Sequence, residues 1–142
     1  MSVVLSSDFS KASRIDSPAR DSSREEKDSD MKIQHRMEGN TLVVKILAAR
    51  LDAASAPEVK RRIGDWIRRG HRRLVLDVSA VEFIDSNGLH TLVFALKQLG
   101  SYQDLAISGP RDAVVNMFKL TRLYRIFNIF ADSEKAIAAL SS

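Results

Sequence analysis

The sequence predicts a single α/β domain, with a mixed central sheet of four to five strands and about four helices, preceded by a disordered tail. Apolar, β-branched segments alternate along the chain with segments whose apolar residues recur at helical spacing. Residues 1–30 show neither pattern and are rich in serine and in charges of both signs, so they bury too little apolar surface to offset the entropy of ordering. We therefore expect a tail over residues 1–30 and a domain over residues 31–142.

The domain is expected to open with two strands. Residues 31–37 alternate loosely between apolar and polar, which predicts a strand with one wet face. Residues 38–40, Glu-Gly-Asn, are typical of a hairpin turn. Residues 41–48 are more continuously apolar and predict a central strand, after which residues 49–52 lead out of the sheet.

A helix should follow, beginning at Ser55 and ending near Gly70. Ser55 and Glu58 have the spacing of a capping box, and Pro57 is tolerated in the first turn, where its missing N–H is not needed. Gly70 suits a helix C-cap. The apolar face of this helix consists of Val59, Ile63, Trp66 and Ile67.

The second half of the domain continues the alternation of strands and helices. Such an order predicts a sheet that is covered by helices on at least one face. The predicted elements are a strand over 73–79, a helix that follows the turn at Asp85 and Ser86 and runs to Leu99, where Gly100 stops it, a strand over 104–108, a helix that Pro110 opens, an edge strand or extended segment over 124–130, and a short helix over 132–140 that Asp132 or Ser133 caps.

Composition narrows the class of protein. The chain has no cysteine, which excludes disulfides, thiolate metal sites and cysteine nucleophiles. No apolar run approaches the ~20 residues that span a bilayer, and the first residues lack the basic start of a signal peptide, so we expect a cytoplasmic protein without a membrane partner. His35 and His71 are isolated and the glycines are scattered, so we expect no metal and no cofactor.

The formal net charge of +4 is unevenly distributed. A basic cluster suggests nucleic acid or an acidic partner, but Glu58 with Arg62 and Asp65 with Arg69 stand four residues apart, which favours a solvated helix face. We therefore expect no direct nucleic-acid binding and rate an acidic protein partner higher. The cluster comprises Lys60, Arg61, Arg62, Arg68, Arg69, Arg72 and Arg73.

The most informative stretch is residues 81–89, where an apolar segment runs into an acidic-hydroxyl-amide-glycine turn and then into a helix. Asp85 or Ser86 is suited to cap that helix, because a short side-chain oxygen accepts from the unpaired N–H groups of the first turn. Those groups and the helix dipole favour added negative charge, so we interpret Ser86 as a phosphorylation switch. The helix presents an apolar face of Leu89, Leu92, Val93, Leu96 and Leu99.

The residues beside Ser86 complete a candidate partner-binding surface. Asn87 and His90 should lie on the exposed first turn of the helix, and Gly88 permits close backbone approach there. A partner pressed against a phosphorylated Ser86 would meet a bulky, doubly charged group beside Asp85. Steric conflict and like-charge repulsion would then abolish binding without any internal rearrangement.

Two other interpretations of this stretch stay open. Ser86 can be a simple helix cap in a constitutive scaffold or ligand-sensing module of a larger signalling complex. His90 lies four residues from Ser86, on the same helix face, which suggests a nucleophile and base of a hydrolase. The sequence argues against the hydrolase, because no third group and no glycine-flanked nucleophile elbow are evident, and we expect no enzyme.

Four stretches resemble the signature of the STAS domains, the sulfate-transporter and anti-sigma-factor-antagonist family. They are Leu76–Leu89 (LDVSAVEFIDSNGL), Leu51–Ala53, Asn116–Thr121 and Leu123–Phe127. Together the resemblance covers residues 32–140. The absence of a transmembrane segment is typical of the stand-alone anti-sigma-factor-antagonist branch.

This resemblance implies partner switching in bacterial transcription regulation. In that family the serine after the turn aspartate is phosphorylated by a partner kinase of the GHKL type, often itself an anti-sigma factor, and a PP2C-type phosphatase reverses the step. Carried over by position, Ser86 is the acceptor, and the unphosphorylated protein binds the kinase. Asn87 departs from a common Ser or Thr and Arg122 from a common Gly. We expect a monomer or a weak homodimer.

Overall fold

Five of the seven strands in the described chain form one mixed sheet. The structure is a computed structural model that describes residues 33–141, so the tail predicted over residues 1–30 lies outside the described residues. The strands are β1 (Ile33–Glu38), β2 (Thr41–Ile46), β3 (Arg50–Leu51), β4 (Leu74–Asp77), β5 (Phe83–Ile84), β6 (Leu105–Ser108) and β7 (Asn128–Phe130). The main sheet has the order β1-β2-β4-β6-β7; β1 is antiparallel to β2, and the other neighbours are parallel.

Within residues 33–141, four α-helices pack on this sheet, which confirms the predicted fold class. They are α1 (Ala56–Arg68), α2 (Ser86–Leu99), α3 (Asp112–Thr121) and α4 (Ser133–Ser141), and short 3-10 turns lie at Tyr102–Asp104 and Leu123–Arg125. No helix within residues 33–141 has the length and apolar character needed to cross a bilayer.

The two faces of the sheet bury separate apolar clusters. Because successive strand residues point to opposite faces, Leu42 and Val44 of β2 pack with α1, α2 and α3, whereas Val43 packs with Ala136 and Leu140 of α4. The parallel strands β4 and β6 are therefore apolar on both faces, as is usual for strands with helices on both sides.

The edge strand β1 is more exposed to solvent than its alternation of apolar and polar residues predicts. Ile33 is buried, but Gln34 to Glu38 are all exposed, and Met37 keeps 48% of its surface accessible. The hairpin turn is confirmed, with Gly39 at φ 63°.

The predicted capping box of α1 is wrong. Ser55 has helical backbone angles and its side chain makes no cap hydrogen bond; its hydroxyl instead donates to the Arg50 carbonyl oxygen at 2.6 Å. Asp52 takes over the turn before the helix, because its carboxylate accepts from the backbone N–H groups of Ala54 and Ser55. A tertiary contact thus replaces the local pairing with Glu58.

Acidic residues on α1 partly neutralise its basic face. Arg61 pairs with both Glu58 and Asp65, and Arg68 pairs with Asp65. Arg62 lies with its guanidinium 5.0 Å from the centre of the Trp66 ring. Glu58 and Asp65 thus form ion pairs with arginines other than those that the four-residue spacing suggested. These ion pairs support the interpretation of this surface as a solvated helix face.

Residues 49–52 do more than lead out of the sheet, which corrects the expectation. Arg50 and Leu51 form β3, which pairs in parallel with β5 in a separate two-stranded ladder. Leu51 and Ile84 are buried in this ladder, and its outer side is exposed. The ladder matters because β5 runs directly into α2.

The C-terminal elements refine three expectations. Arg111 is the N-cap residue of α3, so Pro110 lies just before the helix and does not open it. Of the extended segment over 124–130, only Asn128–Phe130 is a strand. Asp132 caps α4 by accepting from the Lys135 backbone N–H at 2.8 Å.

Arg122 ends α3 in the left-handed conformation. Its φ is 61°, and it is the one residue other than glycine with positive φ within residues 33–141. A glycine adopts this conformation without steric cost, which gives a physical reason for the family preference from which Arg122 departs.

Candidate partner-docking site

The start of α2 is built by the carboxylate of Asp85. Asp85 is extended (φ −113°, ψ −169°), and its Oδ1 accepts hydrogen bonds from the backbone N–H groups of Asn87 at 2.8 Å and Gly88 at 3.2 Å. These bonds satisfy two of the donors that a helix start leaves unpaired. Asp85, and not Ser86, is therefore the cap.

Ser86 is the first residue of α2 and is exposed. Because Asp85 supplies the cap, the Ser86 hydroxyl is not needed for it, and within residues 33–141 no hydrogen bond engages that hydroxyl. The hydroxyl lies at the positive end of a 14-residue helix, where added negative charge is favourable. Geometrically, the group is open to a modifying enzyme.

Gly88 corrects an expectation of the sequence. It is buried and faces its own domain: a Cβ at this position would stand 2.6 Å from Ile84 Cγ1 and would overlap the Leu51 carbonyl oxygen. The close backbone approach is real, but it joins α2 to the β3–β5 ladder. Gly88 therefore shapes the site from beneath and does not offer a surface to a partner.

Asn87 and His90 lie where the sequence places them, exposed on the first turn of α2, while Asp85 is half-buried. No hydrogen bond joins Ser86 to His90 among the described residues, and the Asp85 carboxylate is bound to backbone N–H groups of its own turn. This geometry lacks the aligned nucleophile, base and orienting group of a hydrolase.

The exposed side of the β3–β5 ladder adds residues that sequence reasoning missed. The Arg50 guanidinium lies over the Phe83 ring, 4.2 Å from its centre, and Arg50 Nε donates to Asp52 Oδ2 at 3.4 Å. Phe83 is 39% exposed, so this cation and aromatic ring form a surface just before Ser86. Asp52 and Phe83 had a signal in the sequence, as parts of the family-like stretches Leu51–Ala53 and Leu76–Leu89, whereas Arg50 had none.

Asp52 is held in its ionised form. Desolvation raises the pKa of the Asp52 carboxyl, but hydrogen bonds from the backbone N–H groups of Ala54 and Ser55, together with Arg50, outweigh it and hold the pKa below its ordinary value. The carboxylate therefore stays charged at neutral pH and remains a partner for Arg50.

The described residues contain no group of three or more acidic or histidine side chains that could hold a metal ion. What the site does present is a free hydroxyl, an amide, an imidazole and a cation on an aromatic ring, all on the surface of a packed α/β fold.

The chain belongs to the STAS family, since residues 32–136 match the STAS domain. Among solved structures, an anti-sigma factor antagonist from Mycobacterium paratuberculosis superposes with a TM-score of 0.72 at 25% identity, covering 78% of this chain and 93% of that one. The fold and the resemblance stated from the sequence are thereby confirmed.

Two relatives match along the sequence. The Bordetella bronchiseptica protein BtrV, provisionally named an anti-sigma factor antagonist, is 26% identical over 102 residues, which are 71% of this chain and 88% of BtrV. The anti-sigma-B factor antagonist of Listeria monocytogenes is 32% identical over 84 residues, 58% of this chain and 74% of that protein.

Proposed function

We propose that this chain is an anti-sigma factor antagonist that works by partner switching. Unphosphorylated, it binds an anti-sigma factor that is also a serine kinase of the GHKL type, and phosphorylation of Ser86 releases that partner. The observation that carries the proposal is the exposed Ser86 hydroxyl at the start of α2, left free because Asp85 makes the cap. The names of the relatives and the family membership support the same role.

The switch is a phosphoryl transfer in which this chain is the substrate. The γ-phosphoryl group of ATP passes to Ser86 Oγ, the hydroxyl proton is lost, and ADP leaves. A PP2C-type phosphatase hydrolyses the ester, so that water restores the serine and inorganic phosphate is released. The role of the domain itself is binding and not catalysis.

Phosphorylation acts on the docking surface directly. A phosphoserine carries about −1.5 to −2 charge and three acceptor oxygens. The helix N-terminus tolerates this charge within the domain, so the fold need not change. A partner in contact with Asn87 and His90 would meet a bulky dianion next to Asp85, and both volume and charge then oppose binding.

The test is affinity capture from a lysate of the native host, read by mass spectrometry, with wild type, Ser86→Ala and Ser86→Asp as baits. We expect an anti-sigma factor or kinase with the first two baits and at least a tenfold loss with the third. Ser141→Asp is the matched control, because it adds the same charge at another exposed serine, at the end of α4. The captured kinase, once purified, should transfer phosphate from ATP to wild type and not to Ser86→Ala.

Equal capture of the partner by all baits would contradict the proposal that phosphorylation of Ser86 controls binding. The same partners would then be bound constitutively, which is the behaviour of a scaffold or ligand-sensing module. Loss of capture with Ser141→Asp as well as Ser86→Asp would indicate a general effect of charge and would also contradict gating at Ser86.

A further inference from the structure

We propose that Arg50 is the side chain that binds a phosphate on Ser86, and that it leaves the Phe83 ring and the Asp52 carboxylate to do so. The inference rests on the proposed function, because it concerns the phosphorylated state of Ser86. It adds a specific event to that function, since the cation on the docking surface changes partner when the serine is modified.

The ladder places Arg50 on the same side as the site. The parallel register of β3 and β5 sets Arg50 opposite Phe83 and Leu51 opposite Ile84. Leu51 and Ile84 point into the core, so Arg50 and Phe83 point outward by strand alternation.

The Arg50 side chain extends in the direction in which the two parallel strands run, which is toward the end of the ladder where β5 leads into α2. Its Nε reaches Asp52 Oδ2, and Asp52 comes two residues further along the chain. The Asp85 N–H donates to the Leu51 carbonyl oxygen at 3.3 Å, so Asp52 and Asp85 are the next residues along the two strands. Ser86 follows Asp85 directly in the chain and is exposed.

The present contacts of Arg50 are weak enough to be exchanged. Its side chain is 64% exposed, and the hydrogen bond to Asp52 is long at 3.4 Å. Exposed ion pairs and exposed cation–π contacts each contribute little. A phosphate dianion accepts two parallel hydrogen bonds from a guanidinium and is the stronger partner.

The charge balance around Ser86 favours the same exchange. Asp85 and Asp52 are both acidic, and a dianion beside them needs a compensating cation. Within the β3–β5 ladder Arg50 is the only basic residue. His90 lies four residues after Ser86, one turn along α2, and is exposed.

This exchange would change the docking surface in shape as well as in charge. When Arg50 moves to the phosphate, the Phe83 ring loses its covering guanidinium and the Asp52 carboxylate loses its partner. A kinase that had bound the stacked arginine would then lose that contact, in addition to meeting the repulsion of the phosphate. Phosphorylation of Ser86 would then release the partner both by repulsion and by loss of the contact with Arg50.

The experiment uses the full chain with phosphoserine installed at position 86 during translation, so that it needs no partner kinase. The second pKa of the phosphate, which is about 6 in an unperturbed phosphoserine, is measured by phosphorus NMR. A nearby cation favours the dianion, so we expect Arg50→Gln to raise this pKa by about 0.5. Arg36→Gln is the matched control, because Arg36 makes the same kind of exposed ion pair two residues along β1, with Glu38.

A second readout follows the arginine itself. In the unphosphorylated protein the Phe83 ring current should shift the Arg50 Hδ resonances upfield, and we expect that shift to disappear on phosphorylation. An equal phosphate pKa in wild type and Arg50→Gln overturns the inference, and so does a phosphate pKa that rises in His90→Gln alone. Arg50 Hδ resonances that stay shifted upfield after phosphorylation also overturn it. The proposed function is tested by a different experiment, the affinity capture, and it is contradicted if partner capture does not depend on Ser86.

Discussion

Gly88 packs so closely on Leu51 that a Cβ at position 88 would overlap the Leu51 carbonyl oxygen and stand 2.6 Å from Ile84 Cγ1. The first turn of α2 and the β3–β5 ladder therefore share a backbone contact beneath Ser86. Because the ladder carries Arg50 and Phe83, this contact determines how the exposed hydroxyl and the exposed cation stand relative to each other.

Gly88→Ala should lower the free energy of unfolding by about 2–3 kcal/mol. Overpacking a close contact costs that much, and the obstructing atom is a backbone oxygen that cannot rotate away. Gly64→Ala is the control, since its Cβ would meet only side-chain atoms of Arg68 and Phe94 at 3.2 Å or more. Urea unfolding measures both, and equal effects at the two glycines would contradict the steric argument.

The local features of the site could be predicted from the sequence, and the tertiary ones could not. The Asp85 cap and the helix that follows depend on neighbouring residues, so composition and spacing suffice. The β3–β5 ladder joins two strands of only two residues each that lie far apart in the chain, and so short a strand has no periodic signature. The contact of the Arg50 guanidinium with the Phe83 ring depends on that pairing, so the sequence does not predict it either.

Two of the corrected expectations, those on Ser55 and Gly88, have a common cause. Ser55 has the spacing of a capping box, but its hydroxyl finds the Arg50 carbonyl oxygen, which only the folded chain brings close. The sequence places Gly88 on the partner surface, but the close approach that it permits is to Leu51. In both cases the local pattern correctly marks a position with a specific structural role. A contact with a residue distant in the chain determines what that role is.

Arg122→Gly should raise the free energy of unfolding by roughly 0.5–1 kcal/mol. Arg122 holds φ 61°, which strains an L-residue and not glycine, and the gain is reduced by the greater freedom of glycine in the unfolded chain. The matched control is Arg69→Gly, because Arg69 is also a helix C-cap arginine but has φ −80°. That variant should lose stability by a similar amount, and a gain in both variants would exclude strain at Arg122 as the reason.

Asp52 should make the stability of the domain depend on pH below its ordinary pKa of 3.8. Its pKa is depressed in the folded state, so its contribution is present above the unfolded pKa and is lost as the pH falls through the folded pKa. We therefore expect the stability difference between wild type and Asp52→Asn to be constant near neutral pH and to shrink as the pH falls below 3.8. Unfolding in urea at several pH values measures it, and a difference that is constant with pH would contradict this prediction.

Asp85→Ala should lower the free energy of unfolding by about 1 kcal/mol, because the N–H groups of Asn87 and Gly88 lose their acceptor. Asp85→Asn keeps a side-chain oxygen at the same place and should retain most of that stability. Ser86→Ala should change stability by less than about 0.5 kcal/mol, since the exposed hydroxyl makes no cap bond.

These three variants separate the structural role of the turn from its regulatory role. If Asp85 acts only as a cap, Asp85→Asn should bind the captured partner as wild type does, with binding measured by calorimetry at equal folded fractions. A partner that loses affinity for Asp85→Asn while the fold stays intact must contact the Asp85 charge itself. A destabilised Ser86→Ala would mean that the hydroxyl, and not Asp85 alone, holds the start of α2, and the exposed serine would then no longer be free for modification without cost to the fold.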